Sequence, residues 1–362
     1  MVELTDEQKA LRETLRKFAE RELKPIASEL DETQGGQINW DLCKKACEIG
    51  LFSAWLPKKY GGSFGGISGC IAMEELGAVE PGFALFTSLT GMGIGCIAFS
   101  GEKALMERFY PRLIEAEKTG IPEIWAIAIT EPEAGSDVED REGAQGARLR
   151  TFAEKRGDRY IINGRKCFIS AGNVAKLVFV FAAMDKKEGI NSWTCFAVPT
   201  DSPGFSVGTI EEKIGQRSSP VAELVFEDVE VPEENRIGAE KGGWSILLKL
   251  LAASRPTVGA LSVGIARGAF EKSLKYATER YQGKKQIIEH QMIQAMLADM
   301  AIKIEAARLL CYQAASTRPV SQKLSSMAKV YATDMAVQVC SDAIQIMGGY
   351  GLMRDYGVEK LY

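Results

Sequence analysis

The spacing of apolar residues changes twice along this chain of 362 residues. Apolar side chains recur at helical spacing in 1–123, form short runs with the period of strands in 124–238, and return to helical spacing in 239–362. Because the strand runs follow one another without helices between them, they favour an antiparallel sheet over a doubly wound βαβ sheet. We predict an α+β chain with an N-terminal helical domain, a central antiparallel β-barrel or sandwich, and a C-terminal four-helix bundle.

Helix signals fill the first unit. Thr5 and Gln8 form a capping box, and apolar residues then recur at helical spacing up to Pro25, where we expect the helix to stop. Segments of small and apolar residues with few charges are typical of buried helices. The further helices predicted here span 40–49, 70–79 and 83–99.

Short apolar runs bounded by turn residues predict the strands of the second unit. They are Ile124 to Ile129, Tyr160 to Ile169, Leu177 to Ala182, Trp193 to Val198 and Ala222 to Phe226. The charged segment 139–159 is predicted to be a solvated loop or an irregular hairpin. In the third unit a long helix is predicted over 261–281, followed by an amphipathic helix whose apolar stripe runs from Ile293 to Cys311.

Composition disfavours several classes of function. The formal net charge of -4 leaves no basic surplus for phosphates, so nucleic acid is not an expected partner. The eight cysteines lie in apolar surroundings without CxxC spacing, which indicates free thiols in a reducing compartment rather than a metal site. The N-terminus is charged at once and no run approaches the ~18 apolar residues of a membrane span, so we expect a cytoplasmic protein without a span.

One stretch, 124–170, combines short hydroxyl side chains with glycines. Its first motif contains Thr130 and Ser136 and continues to Asp137, and its second motif, 162–170, ends at Ser170. Hydroxyls beside glycines allow O–H and backbone N–H groups to approach a polar, partly flat ligand. An ordinary loop between strands explains the same residues on composition alone, and both interpretations stay open at this point.

Four further motifs follow in the third unit. They are Arg255-Pro256, Arg280-Tyr281-Gln282, Glu289-His290-Gln291 and Gln345-Ile346-Met347-Gly348-Gly349-Tyr350-Gly351. Together with the two motifs in 124–170, this set resembles the signature of the acyl-CoA dehydrogenase family, in the family's order and near its spacing. Separated motifs in one order are a specific signal, and the resemblance extends from Thr5 to Tyr362.

The resemblance implies an FAD-dependent enzyme that converts an acyl-CoA thioester to a 2,3-enoyl-CoA and passes electrons to an electron-transfer flavoprotein. In the family a base removes the α-proton while the β-hydrogen leaves as hydride. Because that α-proton is too weakly acidic for a free carboxylate, the site must stabilise the enolate and desolvate the base. A flavin oxidase of the same fold and a catalytically silent flavin-binding scaffold remain open as alternatives.

The resemblance also implies roles for residues of the first two motifs. Three of them, Ile127, Ile129 and Thr130, are implied to line the isoalloxazine ring of FAD, with the Thr130 hydroxyl on its pyrimidine edge. Phe168 is implied to shield the flavin face and to meet the electron acceptor, beside Ile169, and the Ser170 hydroxyl is implied to bond flavin N5. Without the family, strand packing explains Phe168 equally well.

Other residues are implied to contact substrate or a neighbouring subunit. Ser136 is implied to contact the pyrophosphate or the CoA chain. Arg255, which is expected at the start of a long helix, is implied to lie on the thioester side of the substrate. His290, the single histidine, suits a helix cap or a cofactor contact better than a Ser-His-Asp mechanism. Residues implied to reach FAD across an interface are Arg280, Gln282, His290, Gln291, Gln345 and Gly349, which implies a homotetramer.

The chain departs from the family at several positions. Gly283 and Lys284 stand where an aromatic contact is usual, and Ala252 stands where an Asp is frequent. The catalytic base is not assigned, because Ser254 occupies one family position for it and the other lies beyond Tyr362, so we expect the chain to be shortened at its C-terminal end. Glu359 matches a structural helix residue of the family.

The segment 67–102, which lines the acyl pocket in the family, contains no Lys or Arg. Nothing in it would pair with a distal carboxylate, so an uncharged acyl group is the expected substrate. The apolar side chains Phe83, Phe86, Leu89 and Met92 would suit such a lining, although core packing explains them as well.

Overall fold

The first part of the chain is helical, as predicted. The computed structural model describes residues 3–32, 36–136, 149–185 and 187–362. Gln8 N–H donates to the Thr5 hydroxyl at 3.2 Å and Thr5 N–H donates to Gln8 Oε1 at 3.1 Å, which confirms the capping box. The first helix stops before Pro25, as predicted: its α-helical part ends at Phe18, a π-helical turn continues to Leu23, and Pro25 lies in a separate 3-10 turn. The helices are α1 (Asp6–Phe18), α2 (Ala27–Glu32), α3 (Trp40–Glu48), α4 (Ile67–Gly77), α5 (Pro81–Ser100) and α6 (Lys103–Lys118).

The central part is one mixed sheet. Its strands are β1 (Trp125–Ala128), β2 (Phe152–Arg156), β3 (Arg159–Ser170), β4 (Leu177–Ala183), β5 (Trp193–Pro199), β6 (Phe205–Ile210), β7 (Val221–Pro232) and β8 (Arg236–Ile237). The order is β6-β7-β3-β2-β4-β5-β8, and β1 pairs with β4. The predicted purely antiparallel sheet is wrong, because β1 and β2 both pair with β4 in parallel. The long connection between β1 and β4 supplies the crossover that parallel pairing requires.

The predicted strand positions are confirmed for β1, β3, β4, β5 and β7, whereas β2, β6 and β8 were not predicted. β2 pairs antiparallel with β3 from Phe152↔Asn163 to Arg156↔Arg159. The C-terminal end of the segment 139–159, predicted as a loop or an irregular hairpin, is therefore part of a hairpin. Asp137 and the other residues of 137–148 lie outside the described residues. β2 escaped prediction because Glu154, Lys155 and Arg156 are exposed charges that hide its alternation.

Helices return after the sheet, as predicted. They are α7 (Gly243–Glu279), α8 (Gln291–Ser316) and α9 (Gln322–Met347), with a small hairpin of β9 (Tyr281–Gln282) and β10 (Lys285–Gln286) between α7 and α8. The predicted helix start near Pro256 is wrong, because α7 begins at Gly243 and contains Pro256. The first turns of α7 are packed in the core through the buried side chains of Ile246, Leu247 and Leu250. This packing stabilises the part of the helix that precedes Pro256.

The C-terminal helices pack against one another and against the first helical part. In the described residues three long helices follow the sheet, and α4 packs on α7 and α8. Gly264 and Gly268 allow this contact, since a Cβ atom there would stand 2.4 Å from the Glu74 carbonyl oxygen and 2.2 Å from the Ala78 carbonyl oxygen. The predicted bundle therefore uses a helix from the N-terminal part as one of its members.

A buried ion-pair network joins the same helices. Glu74 of α4 contacts Arg308 of α8 at 3.0 Å and Arg267 of α7 at 3.3 Å. Its neighbour Glu75 contacts Arg267 at 2.8 Å and Arg16 of α1 at 3.0 Å. Both carboxylates are buried, so each requires its guanidinium partners to offset the cost of leaving water. The network links four helices around one point.

All eight cysteines are free and buried, as predicted. Within the described residues no cluster of His, Cys, Asp and Glu could hold a metal ion. Two helices, α5 and α7, are long and apolar enough to cross a membrane, which corrects the prediction that no segment reaches that length. This is weak evidence of a span, because a helix buried in a protein core passes the same test.

Candidate active site

One large cavity brings together about half of the predicted site residues. It has a volume of about 1370 Å³ and lies where the ends of β1 and β3 face α5 and α7. Arg255 and Ser254 of α7 line it opposite the two motifs of the sheet. Predicted cofactor residues on its lining are Ile127, Ile129, Thr130, Phe168, Ile169 and Ser170. Both motifs therefore lie on one cavity, which is the arrangement that the ligand-binding interpretation expects.

The backbone joins the two motifs directly. Cys167 N–H donates to the Thr130 carbonyl oxygen at 3.0 Å, just after β1 ends. The register of β3 on β7 shifts between Lys166 and Ile169, which marks a bulge, and Phe168 there adopts a left-handed backbone with φ of 58°. This conformation is unusual for an aromatic residue and is stable only where the surroundings impose it. The bulge leaves the Phe168 ring 63% exposed at the cavity.

The walls of this end of the cavity suit a flat, partly polar group. Ile127, Ile129 and Phe168 supply apolar surface, and the hydroxyls of Thr130 and Ser170 lie beside them, half-buried. Neither hydroxyl makes a hydrogen bond within the described residues, so both can bond a ligand. An isoalloxazine ring has apolar faces and a polar edge, and the residues present therefore fit FAD.

A buried ion pair, absent from the predicted site, lies behind these walls. Lys166 Nζ stands 2.8 Å from Glu131 Oε1, and the two side chains are 0% and 2% exposed. Lys166 also donates to the Ile129 carbonyl oxygen at 2.8 Å. Glu131 accepts from the N–H groups of Arg150 at 2.6 Å and Thr151 at 3.1 Å. Burial lowers the pKa of the Lys166 ammonium to about 8, against the attraction of Glu131. The sequence offered no clear signal for this pair, because Lys166 directly follows another cation, the exposed Arg165.

The opposite wall comes from α7. Arg255 donates a hydrogen bond from Nη1 to Ser326 Oγ of α9 at 3.2 Å. The Ser254 hydroxyl donates to the Leu251 carbonyl oxygen at 3.3 Å, within its own helix. Arg255 lies within α7 and not, as was expected, at the start of a helix. It nevertheless lines the cavity.

The wall of the cavity formed by α5 is apolar. α5 contributes Leu85, Leu89 and Met92, and the Trp55 ring lies across from Gly91, where a Cβ atom would stand 3.2 Å from Trp55 Cγ. Phe83 and Phe86 are buried but not on the lining, so core packing explains them. Trp55 was not predicted, because a lone tryptophan in a turn has no periodic signal.

Charge on the cavity is mainly positive. The lining carries the cations Lys58, Arg255, Arg318 and Lys329. Among the described residues one carboxylate, that of Glu7, reaches the lining, and Glu7 is exposed. Glu359 is not on the lining.

The remaining predicted residues lie away from the cavity. Arg280 Nη2 donates to Gln282 Oε1 at 3.3 Å, and a ring nitrogen of His290, Nε2, stands 3.0 Å from the Gln282 carbonyl oxygen. The Arg280 guanidinium lies 5.7 Å from the Tyr350 ring centre, beside the Gly348–Leu352 turn. The His290 ring makes no helix cap.

The predicted residues exposed on this surface are Arg280, Gln282, Gln291, Gln345 and Gly349. Ser136, near the end of the first motif, is exposed and does not line the cavity.

Comparisons with known proteins cover the whole chain. Family models match in order: acyl-CoA dehydrogenase, N-terminal domain over residues 5–117, middle domain over 126–229 and C-terminal domain over 241–362. The cyclohex-1-ene-1-carbonyl-CoA dehydrogenase of Syntrophus aciditrophicus is 39% identical over 367 residues, covering 100% of this chain and 85% of the relative.

Two solved structures share the fold. Butyryl-CoA dehydrogenase from Megasphaera elsdenii is 33% identical with a TM-score of 0.90, covering 100% of this chain and 93% of that chain. A chain from a structural study of the electron transferring flavoprotein of Acidaminococcus fermentans is 36% identical with a TM-score of 0.88, covering 100% and 92%. The chain belongs to the acyl-CoA dehydrogenase family of flavoprotein oxidoreductases.

Proposed function

We propose that this protein binds FAD and dehydrogenates an acyl-CoA thioester at its α and β carbons, with electrons passed to an electron-transfer flavoprotein. The supporting observation is the single cavity on which Thr130, Phe168, Ser170 and Arg255 converge between the sheet and α7. Bound FAD supplies a hydride acceptor in this reaction. The chain supplies binding, orientation and exclusion of water.

Each proposed role is supported by the residue's position on the cavity. The Thr130 and Ser170 hydroxyls hold the polar edge of the flavin, and Ile127 and Ile129 pack on its apolar face. Phe168, exposed at the bulge, covers the ring and offers an apolar contact to the electron acceptor. Arg255 attracts the negative charges of CoA and lies on the thioester side.

The acyl group is proposed to be uncharged. The wall from α5 is made by Leu85, Leu89 and Met92, and no lysine or arginine of 67–102 is available to neutralise a distal carboxylate. An ionised acyl tail buried there would pay an uncompensated desolvation cost.

The second candidate is a flavin-binding protein without turnover. It is favoured by the cavity lining, on which Ser254 lies beside Arg255 and Glu7 is the one carboxylate among the described residues. An oxidase of the same fold would differ in passing electrons to O2. Both alternatives use the same flavin site.

A homotetramer in the cytoplasm completes the proposal. The exposed residues Arg280, Gln282 and Gln345 lie off the cavity, where a neighbouring subunit would bring them to FAD. An apolar groove of about 620 Å³ between α8 and α9, with Met327 50% and Val330 55% exposed, suits contact with another copy. Light scattering of the purified protein measures the mass that tests this part.

The deciding experiment mixes the protein anaerobically with a panel of saturated acyl-CoAs and records the visible flavin absorbance. We expect one uncharged acyl-CoA to bleach the flavin and an acyl-CoA without an α-hydrogen to bind without bleaching. A spectrum that shifts but never bleaches would select the silent candidate. A protein that takes up no FAD would contradict the proposal, and rapid reoxidation by O2 would select the oxidase.

A further inference from the structure

The buried pair of Lys166 and Glu131 spans three segments of the chain that meet behind the cavity. Glu131 follows β1, Lys166 lies on β3, and the N–H groups of Arg150 and Thr151 lead into β2. Every polar contact of the pair is to one of these segments, including the bond from Lys166 Nζ to the Ile129 carbonyl oxygen. The pair therefore fixes the turn that carries Thr130 relative to β3.

Stability alone does not explain a buried pair at this place. Removing two charges from water costs several kcal/mol per ion, and apolar residues of similar volume are often neutral or stabilising replacements. What apolar residues could not do is bind the Ile129 carbonyl oxygen and two backbone N–H groups at once. These bonds set the geometry of the turn, because each end of the pair also bonds the backbone of a neighbouring segment.

The pair also lies next to the strained part of β3. Lys166 precedes the bulge at which Phe168 takes its left-handed backbone, and Cys167 between them bonds the Thr130 carbonyl oxygen. A residue in such a conformation is kept there by its surroundings. A fixed Lys166 therefore fixes the positions of Thr130 and Phe168 relative to each other at the edge of the cavity.

We propose that Lys166 and Glu131 are positioning residues that hold the flavin-contact turn of Ile129 and Thr130 against β3 before FAD binds. This inference rests on the proposed flavin site and adds residues that touch neither cofactor nor substrate. The pair acts through the backbone. Its loss is expected to weaken FAD binding beyond any loss of global stability.

The first test uses Lys166→Met, Glu131→Gln and the double variant. Each single variant leaves a buried charge or dipole without its partner, so the thermal midpoint of the apoprotein should fall, and the neutral double variant should recover much of it. We expect the FAD dissociation constant of the double variant to stay raised about tenfold, since the Ile129 carbonyl oxygen still lacks its donor. The matched control, Arg159→Met with Glu230→Gln, removes an exposed pair of β3 and β7 and should change neither quantity.

A double variant that binds FAD within about twofold of wild type would overturn the proposal and leave the pair a purely structural role. Hydrogen exchange on the wild-type apoprotein provides a second test without substitution. The amides of Thr151 and Cys167 should already be protected before FAD is added. Protection that arises only with FAD would refute a preformed turn, whereas a wild-type protein that binds no FAD would refute the proposed function instead.

Discussion

The N–H of Cys167 donates a hydrogen bond of 3.0 Å to the carbonyl oxygen of Thr130, and this bond joins the two motifs at one end of the cavity. It leaves the Thr130 side chain free to face a ligand, because the backbone of that residue is already held. The Thr130 hydroxyl makes no hydrogen bond within the described residues, so its function is expected to appear on binding.

Thr130→Val tests that function, because valine keeps the shape and removes the hydroxyl. We expect the FAD dissociation constant to rise about fivefold, the effect of one hydrogen bond. Fluorescence titration of the apoprotein measures it. Thr278→Val is the control, since that exposed hydroxyl bonds the Lys275 carbonyl oxygen on α7. Equal affinities of wild type and Thr130→Val would show that the hydroxyl does not contact FAD.

Arg255→Gln tests the cation on the α7 wall. Loss of a charge-assisted contact to CoA is expected to raise KM for the acyl-CoA about tenfold, with a smaller change in kcat. Lys249→Gln removes an exposed cation from the same helix and should leave KM unchanged if the effect is local. Steady-state kinetics separate the two parameters, and a fall in kcat alone would place Arg255 in the chemical step rather than in binding.

Glu74→Gln tests the buried network around α4. Arg308 and Arg267, with side chains 20% and 12% exposed, would lose their shared carboxylate, so we expect a loss of about 3 kcal/mol in the free energy of unfolding. Glu271→Gln, at a carboxylate that is 57% exposed and 3.2 Å from Arg267, should cost no more than about 0.5 kcal/mol. Denaturant unfolding gives both values. Similar losses in the two variants would show that the network does not depend on burial.

The cysteines give a prediction about pH. Burial raises the pKa of Cys43, Cys47, Cys311 and Cys340 to about 12, so at about pH 8 roughly one such thiol in ten thousand is ionised. Because the thiolate is the reactive form, the native protein should react with a thiol reagent by less than one equivalent, and reactivity should rise with pH. The unfolded protein should release all eight thiols. Rapid reaction of several thiols in the native state would contradict the buried arrangement.

Local pattern predicted most elements of the fold. The capping box at Thr5 and Gln8 needs residues close in the chain, and the apolar runs of β1, β4 and β5 need nothing beyond their own alternation or length. The motif order indicated the family and the residues of β1, β3 and α7 that line one end of the cavity. Prediction from local pattern also explains why β2 was missed, because its exposed charges hide the alternation of apolar residues.

The sequence by itself determined the positions of most helices and strands, the family, and the residue types that a flavin site needs. Only the tertiary structure decided that β1 pairs with β4 in parallel, that α7 continues through Pro256, and that Lys166 meets Glu131 at 2.8 Å. The strand pairing and the ion pair join segments far apart in the chain, and α7 passes through Pro256 where its first turns are buried. Their free energies come from packing and burial, which the local spacing of residues does not encode.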